Sequence, residues 1–268
     1  MVLFPNCKIN LGLNIIKKRD DGYHDLETVF YPVGLKDALE VIQSTKTDFH
    51  LSGLPVNGDI ENNLCLKAYY LLKKGFPGLP PVNVHLYKAI PMGAGLGGGS
   101  ADGAFMLSIL DKEFELNISE AQLINYALQL GSDAPFFIIN KPCFATGRGE
   151  NLSPVAVDLS AYKIVLVNPG IHVSTREAFS GLAPTIPVKS ILEIISQPIS
   201  TWKDELVNDF EMNVFGLFSE IREIKNELYN AGAIYASMTG SGSTVFGIFE
   251  AETVFNFSFP ENYFYAVF

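Results

Sequence analysis

Pro91-Met92-Gly93-Ala94-Gly95-Leu96-Gly97-Gly98-Gly99-Ser100-Ala101-Asp102 sets five glycines within seven residues, between a strand-like run, Val82 to Ile90, and a helix-like run, Ser100 to Leu110. Residues without Cβ let the backbone approach an anion and take up positive φ, so that several N–H groups turn toward phosphate oxygens. Ser100 stands at the expected start of the helix, where N–H groups without helical acceptors and the positive end of the helix dipole favour an anion. The stretch reads as a phosphate-binding loop.

Three other glycine-loop readings compete for it. A P-loop requires Gly-Lys-Ser/Thr, which does not follow here. Gly93, Gly95 and Gly98 satisfy Gly-x-Gly-x-x-Gly, but a dinucleotide fold continues into a parallel strand ending in an acidic residue about 20 positions on. This chain instead continues into another helical pattern at 119–130. A protein kinase needs His-Arg-Asp and Asp-Phe-Gly, and the sequence contains neither. A glycine turn with no ligand is the bland alternative, disfavoured by the conformational cost of so many glycines.

The 268 residues suffice for one or two domains with a substantial core. An apolar content of 48% with 18% charged residues excludes a disordered chain. The net charge of −10 argues against nucleic-acid or anionic-membrane binding and leaves room for a local basic pocket. Cys7, Cys65 and Cys143 are scattered and make no zinc or disulfide pattern, so buried reduced thiols are expected. Residues 1–16 lack a signal-peptide pattern and no run is long enough to span a bilayer, so a cytoplasmic protein is expected.

Lys8 to Ile16 alternates as a half-buried strand does, and Arg19-Asp20-Asp21-Gly22 ends it. His24 to Val33 is extended. Asn63 caps a helix through Lys74, with Leu64, Ala68, Leu71 and Leu72 on one face and Gly75 as its stop. Ser119 with Gln122 forms a capping box for a helix ending at Leu130 before Gly131. Phe136 to Asn140 reads as a short apolar strand. A turn-rich break over Gly147 to Pro154 divides the chain into domains 1–152 and 153–268. Beyond it, Lys163 to Val167 is a strand and Ser174 with Glu177 boxes a short helix. Glu211 to Asn230 is one long amphipathic helix with Phe215, Ile221, Ile224 and Leu228 inward. Strands then flank a second glycine turn, Thr239-Gly240-Ser241-Gly242-Ser243. The irregular mixture predicts an α+β fold rather than a doubly wound sheet.

Asp133 follows the helix stop in Gly131-Ser132-Asp133-Ala134-Pro135. Taken alone it is a turn former that bonds its own backbone. With a phosphate loop in the same chain it is a candidate base, because phosphoryl transfer to an alcohol uses a carboxylate to accept or orient the hydroxyl. Lys8 either faces solvent or points into a cleft, where it stabilises charge on the transferred group. His24 is either a surface residue or, with Tyr23, a partner that stacks on and hydrogen-bonds a base. His50, His85 and His172 form no constellation.

Together these motifs resemble the GHMP kinases, a superfamily of small-molecule kinases whose nucleotide motif has the form Pro-Met-Gly-x-Gly-Leu-Gly-Gly-Gly-Ser. Lys8-Ile9-Asn10-Leu11, Asp21-Gly22-Tyr23-His24, Gly131-Ser132-Asp133-Ala134-Pro135-Phe136-Phe137, Asn208-Asp209-Phe210-Glu211 and the second glycine turn narrow the resemblance to members with a cytidine-diphosphate acceptor. It implies an N-terminal domain like ribosomal protein S5 domain 2, a ferredoxin-like C-terminal domain, and an active site between them. It also implies transfer of the γ-phosphate of ATP, with Mg2+, to the C2 hydroxyl of 4-diphosphocytidyl-2-C-methyl-D-erythritol in the non-mevalonate route to isoprenoids.

By the same resemblance, Asp133 is the catalytic base and Lys8 assists it. The loop Pro91, Met92, Gly93, Ala94, Gly95, Leu96, Gly97, Gly98, Gly99, Ser100 and Ala101 takes the nucleotide phosphates, with Asn63 and Lys88 at the nucleotide site. Asn10, Tyr23, His24, Thr175 and Phe179 lie on the substrate side with Asp133, Phe179 being a second aromatic around cytosine. Cys7 stands where the family has alanine, and Ala101 where a second serine often follows Ser100. That leaves Ser100 as the hydroxyl for phosphate or metal, and the sequence names no carboxylate ligand for Mg2+. A GHMP kinase for another alcohol, such as homoserine, would not need Asp21-Gly22-Tyr23-His24, and a non-catalytic nucleotide or sugar sensor would lose Asp133 or Lys8.

Overall fold

A computed structural model describes residues 1–56 and 58–268. Its contacts group the chain into two compact units interleaved in sequence. The first comprises Met1–Cys7, Gly34–Met92 and Gly97–Lys141; the second comprises Lys8–Val33, Gly93–Leu96 and Pro142–Phe268.

The first unit is a four-stranded sheet with helices. Its strand order is Val2–Leu3, Ala38–Gln43, Val82–Lys88, Asp48–Gly53, and the last pair alone is parallel. Alternate residues Leu39 and Val41, and Val82, Val84 and Leu86, are buried, as the period of two along a strand requires. They share a core with Leu72 of the helix Leu64–Gly75 and with Met106, Leu107 and Leu110 of the helix Gly98–Glu113. Asn63 caps the first of these helices by accepting from the Cys65 N–H at 2.9 Å. Ser119 and Gln122 form the expected capping box on the helix Glu120–Leu130.

The second unit holds two sheets. One has the order Asn6–Lys18, His24–Lys36, Cys143–Gly147, Asn151–Pro154; the other, wholly antiparallel, has Tyr235–Met238, Val245–Glu250, Tyr162–Asn168, Phe264–Val267. Leu13, Val165, Val167, Met238 and Val245 pack with Val214, Ile221, Ile224 and Leu228. The α+β class holds. Cys7, Cys65 and Cys143 are buried and in no disulfide, and among the described residues no helix is long and apolar enough to cross a membrane.

Three expectations require correction. Phe136 to Asn140 is not a strand but lies in the helix Ala134–Ile139 with Asn140 as its left-handed cap. A short apolar run has no decisive period, and Pro135 in the first turn fits a helix start. The helix expected over Glu211 to Asn230 is two, Phe210–Leu217 and Ser219–Asn230, parted at Phe218. Ile221 lies six positions after Phe215, which sets the two about 120° apart around a continuous helix. The break lets Phe215, Phe218 and Ile221 join one core. Finally, the strand through Lys8 is buried on both faces: Asn6, Lys8, Asn10 and Asn14 are all inside. Its alternating polar residues face partners, not water.

Candidate active site

The glycine loop divides its labour among its glycines. Gly93, Gly95 and Gly97 take positive φ of 63°, 77° and 72°. A Cβ on Gly95 would lie 2.0 Å from the Thr239 carbonyl oxygen, so glycine there is dictated by backbone packing against the second glycine turn. Gly97 caps the helix Gly98–Glu113 without a side chain, and that helix has no acidic residue in its first turn. The N–H groups of Gly98, Gly99 and Ser100 have no intrahelical acceptor, since the ladder begins with the Ala101 N–H to the Gly97 oxygen at 2.9 Å. A 16-residue helix therefore presents an uncapped positive end. At Gly99 an added Cβ would make only ordinary contacts, with Met92 at 3.8 Å and Leu64 at 4.0 Å, so the protein's own packing does not require glycine there.

These two glycines give opposite expectations. Gly95→Ala forces a left-handed conformation and a backbone clash, and should cost about 2 kcal/mol or more in urea unfolding. Gly99→Ala should leave stability intact while raising the KM for ATP. Equal stability of the two variants would overturn this division.

In the first unit a recess of about 210 Å³ adjoins this helix start, lined by Phe49, Asn63, Leu64, Lys88, Met92, Gly99 and Asp102 among others. It is largely apolar with a few polar groups, as sites for an aromatic base are. Four residues expected at the nucleotide site, Asn63, Lys88, Met92 and Gly99, thus line one recess. Lys88 is buried and its ammonium donates to Asp37 and, at 2.6 Å, to Asp102. Burial works to lower the ammonium's pKa, and the two carboxylates outweigh it, so the pKa is raised and the cation persists. Burial pushes the Asp102 carboxyl up to about 8 against the opposing pull of Lys88. Asp37 also accepts from the Ala89 and Ile90 N–H groups at 2.6 and 2.8 Å. Neither aspartate carried a sequence motif, and Asp102 was legible only as the residue ending the loop.

Within the second unit Lys8 Nζ donates to Asn10 Oδ1 at 2.6 Å and to the Gly95 oxygen at 2.9 Å, and lies 5.1 Å from the Phe30 ring centre. Asn10 in turn donates to Thr28 and is bonded to Thr239 through both its N–H and its Oδ1, each at 3.0 Å. Lys8 does not face solvent. It belongs to a buried polar network that ties the first strand to the glycine loop. Asn208 and Glu211 support that network from beneath: Asn208 donates to the Met238 and Gly240 oxygens at 2.7 and 2.9 Å, and Glu211 accepts from the Met238 N–H at 2.8 Å. These bonds fix the second glycine turn and the strand that leads into it.

Asp133 stands at the start of the helix Ala134–Ile139, half-buried, and its side chain makes no capping bond to that helix. It sits in the turn closed by the Ala134 N–H donating to the Gly131 oxygen at 3.2 Å, the position expected of a turn former. In the second unit His24 stacks on Phe179, ring centres 4.5 Å apart, and Phe179 meets Phe210 edge-on at 4.8 Å. Burial, with Lys18 in addition, lowers the His24 pKa, which favours a neutral imidazole with one donor and one acceptor nitrogen. Thr175 opens the short helix that carries Phe179, boxed by Ser174 and Glu177 as expected. Tyr23 is exposed beside Arg148, a residue that sequence reading passed over as part of a turn.

The chain matches the models for the GHMP kinases N terminal domain over residues 63–141 and the GHMP kinases C terminal region over residues 192–257. It is 56% identical over 256 residues to a 4-diphosphocytidyl-2-C-methyl-D-erythritol kinase of Bacteroides fragilis, covering 94% of this chain and 93% of the relative. The kinase of the same name from Cytophaga hutchinsonii is 49% identical over 253 residues, covering 94% and 93%. Among solved structures, a crystal structure of 4-(cytidine 5'-diphospho)-2C-methyl-D-erythritol kinase superposes with a TM-score of 0.78 at 32% identity, covering 94% of this chain and 90% of that one. The mevalonate kinase of Methanococcus jannaschii, at TM-score 0.70 and 13% identity over 94% and 92% of the chains, shares the fold.

Proposed function

Since the chain belongs to the GHMP kinases, and within them to the 4-diphosphocytidyl-2-C-methyl-D-erythritol kinases, we propose that it transfers the γ-phosphate of ATP to the C2 hydroxyl of 4-diphosphocytidyl-2-C-methyl-D-erythritol, a step toward isoprenoid precursors. The observation that carries the nucleotide half of this reading is the uncapped helix start at Gly98, Gly99 and Ser100 beside the apolar recess. The recess takes the adenine, and the loop from Pro91 to Ala101 takes the phosphates through its N–H groups.

Asp133 accepts the proton of the acceptor hydroxyl as its oxygen bonds to phosphorus and the bond to the ADP oxygen breaks. Lys8, held in place by Asn10 and Gly95, stabilises the charge on the transferred group. Tyr23, His24 and Phe179 take the cytosine, with Asn10 and Thr175 on the same substrate side. Mg2+, if bound with ATP, would supply charge neutralisation at the β- and γ-phosphates, and Ser100 is the residue that would hold it. Among the described residues no three His, Cys, Asp or Glu side chains group as a metal cage.

An ADP-release assay across a panel of alcohols tests the assignment. The cytidine substrate should be turned over, and homoserine, mevalonate and galactose ignored. Comparable turnover of any of those three would overturn it, and no turnover of any alcohol would favour a nucleotide sensor.

A further inference from the structure

We propose that Arg148 is a positioning residue for the pyrimidine platform: fixed by Glu150, its guanidinium lies against the Tyr23 ring and leaves the opposite face to the base. The inference rests on the reading of Tyr23 as the base-stacking residue and extends it to residues outside every motif that carried that reading.

Its geometry begins with strand pairing. Leu26 lies opposite Gly147, so the residues that follow Gly147 emerge beside the turn that precedes His24. Gly147 and Gly149 have φ of 72° and 107°, which lets the chain reverse tightly with Arg148 at the tip. The left-handed backbone at Gly147 disfavours a side chain, and a Cβ there would displace the ends of Asn151 and Glu150, lying 2.6 Å from Asn151 Nδ2 and 3.0 Å from Glu150 Oε2. Glu150 fills that space and holds Arg148 twice. One carboxylate oxygen accepts from the Arg148 backbone N–H, and the other from its Nε at 3.3 Å. The guanidinium carbon is thereby set 5.0 Å from the Tyr23 ring centre.

The other side of the arrangement explains why such support matters. Tyr23 is 56% exposed and sits at the end of a turn, where an aromatic ring has little packing to fix it. Its backbone N–H donates to Asp21 at 3.1 Å, and Asp21 is held by Arg19 Nε at 3.0 Å. These bonds fix the main chain and not the ring. The guanidinium, planar and weakly hydrated, is the group suited to lie on an aromatic face. A ring already ordered before the base arrives loses less freedom on binding.

The test is a double-mutant cycle on the full-length enzyme with Tyr23→Ala, Arg148→Met and the pair, measuring KM for the cytidine substrate and for ATP. Tyr23→Ala should raise the cytidine-substrate KM roughly 5- to 150-fold, the scale of a lost base–aromatic stack. Arg148→Met should raise it about 2- to 5-fold, the scale of an exposed cation–π contact, with the KM for ATP unmoved. In the Tyr23→Ala background Arg148→Met should add nothing. The same factor in both backgrounds would mean that Arg148 touches the substrate directly and would overturn the proposal. So would no effect in the wild-type background, or a loss of thermal stability with both KM values raised. If Tyr23→Ala leaves the cytidine-substrate KM unchanged, the base-stacking reading fails and takes this inference with it, an outcome distinct from the others.

Discussion

Asp133→Asn is expected to lower kcat by roughly 10²–10⁴-fold, the usual scale for losing a general base, while ATP still binds. Asparagine keeps the side chain's shape and one acceptor oxygen but cannot take the hydroxyl proton. Urea unfolding of this variant separates loss of the base from loss of the fold. Lys8→Met is the companion variant: it keeps the aliphatic stem in a buried strand and removes the ammonium that binds Asn10 and Gly95. It should also lower kcat. If the two residues act as a unit on the same transferred group, the double variant will be little slower than the slower single one. Near-normal turnover by Asp133→Asn would remove the proposed base and leave only the nucleotide half of the reading.

The parts of the fold that could be read from sequence are those with local signals. Ser119 with Gln122 and Ser174 with Glu177 mark helix starts because a capping box is a contact across three residues, written wholly within the chain segment it stabilises. The glycine loop is legible for the same reason. Phe218 shows the limit: nothing at that position breaks a helix, and the break follows from how Phe215 and Ile221 reach one core. The strand Phe264–Val267 had no independent signal either, since its place depends on pairing with Tyr162–Asn168, distant in sequence.

The candidate site divides along the same line. Lys8 and Asn10 could be picked out, but their burial could not, because alternation along a strand says which residues share a face and not what covers that face. Asn208 and Glu211 were legible as a motif and not as what they do here, which is to anchor the strand that ends in the second glycine turn. Asp37 and Arg148 gave no sign at all. Asp37 meets Lys88, and Arg148 meets the Tyr23 ring, far along the chain, and such contacts leave no local pattern.

Lys88→Met should be the most destabilising of the site variants, costing about 3–5 kcal/mol, because removing one member of a buried ion pair leaves charge without compensation. Here it would leave two carboxyls, Asp37 and Asp102, in the interior. Lys88 ends the strand before the glycine loop and Asp102 lies in the helix after it, so their 2.6 Å bond ties the two ends of the loop together. The variant should therefore also raise the KM for ATP. Asp102→Asn separates charge from tethering, since an amide oxygen still accepts from Lys88. Burial raises the Asp102 carboxyl from 3.8 to about 8 in the folded protein. Between those values the native state keeps a proton that the unfolded chain has released, so this group makes stability fall as pH rises from about 4 to 8. Asp102→Asn should flatten that slope in urea unfolding at pH 5 and pH 8 relative to wild type. An unchanged slope would mean that Asp102 is ionised in the folded protein, and that the triad carries a net negative charge beside the site proposed for the nucleotide.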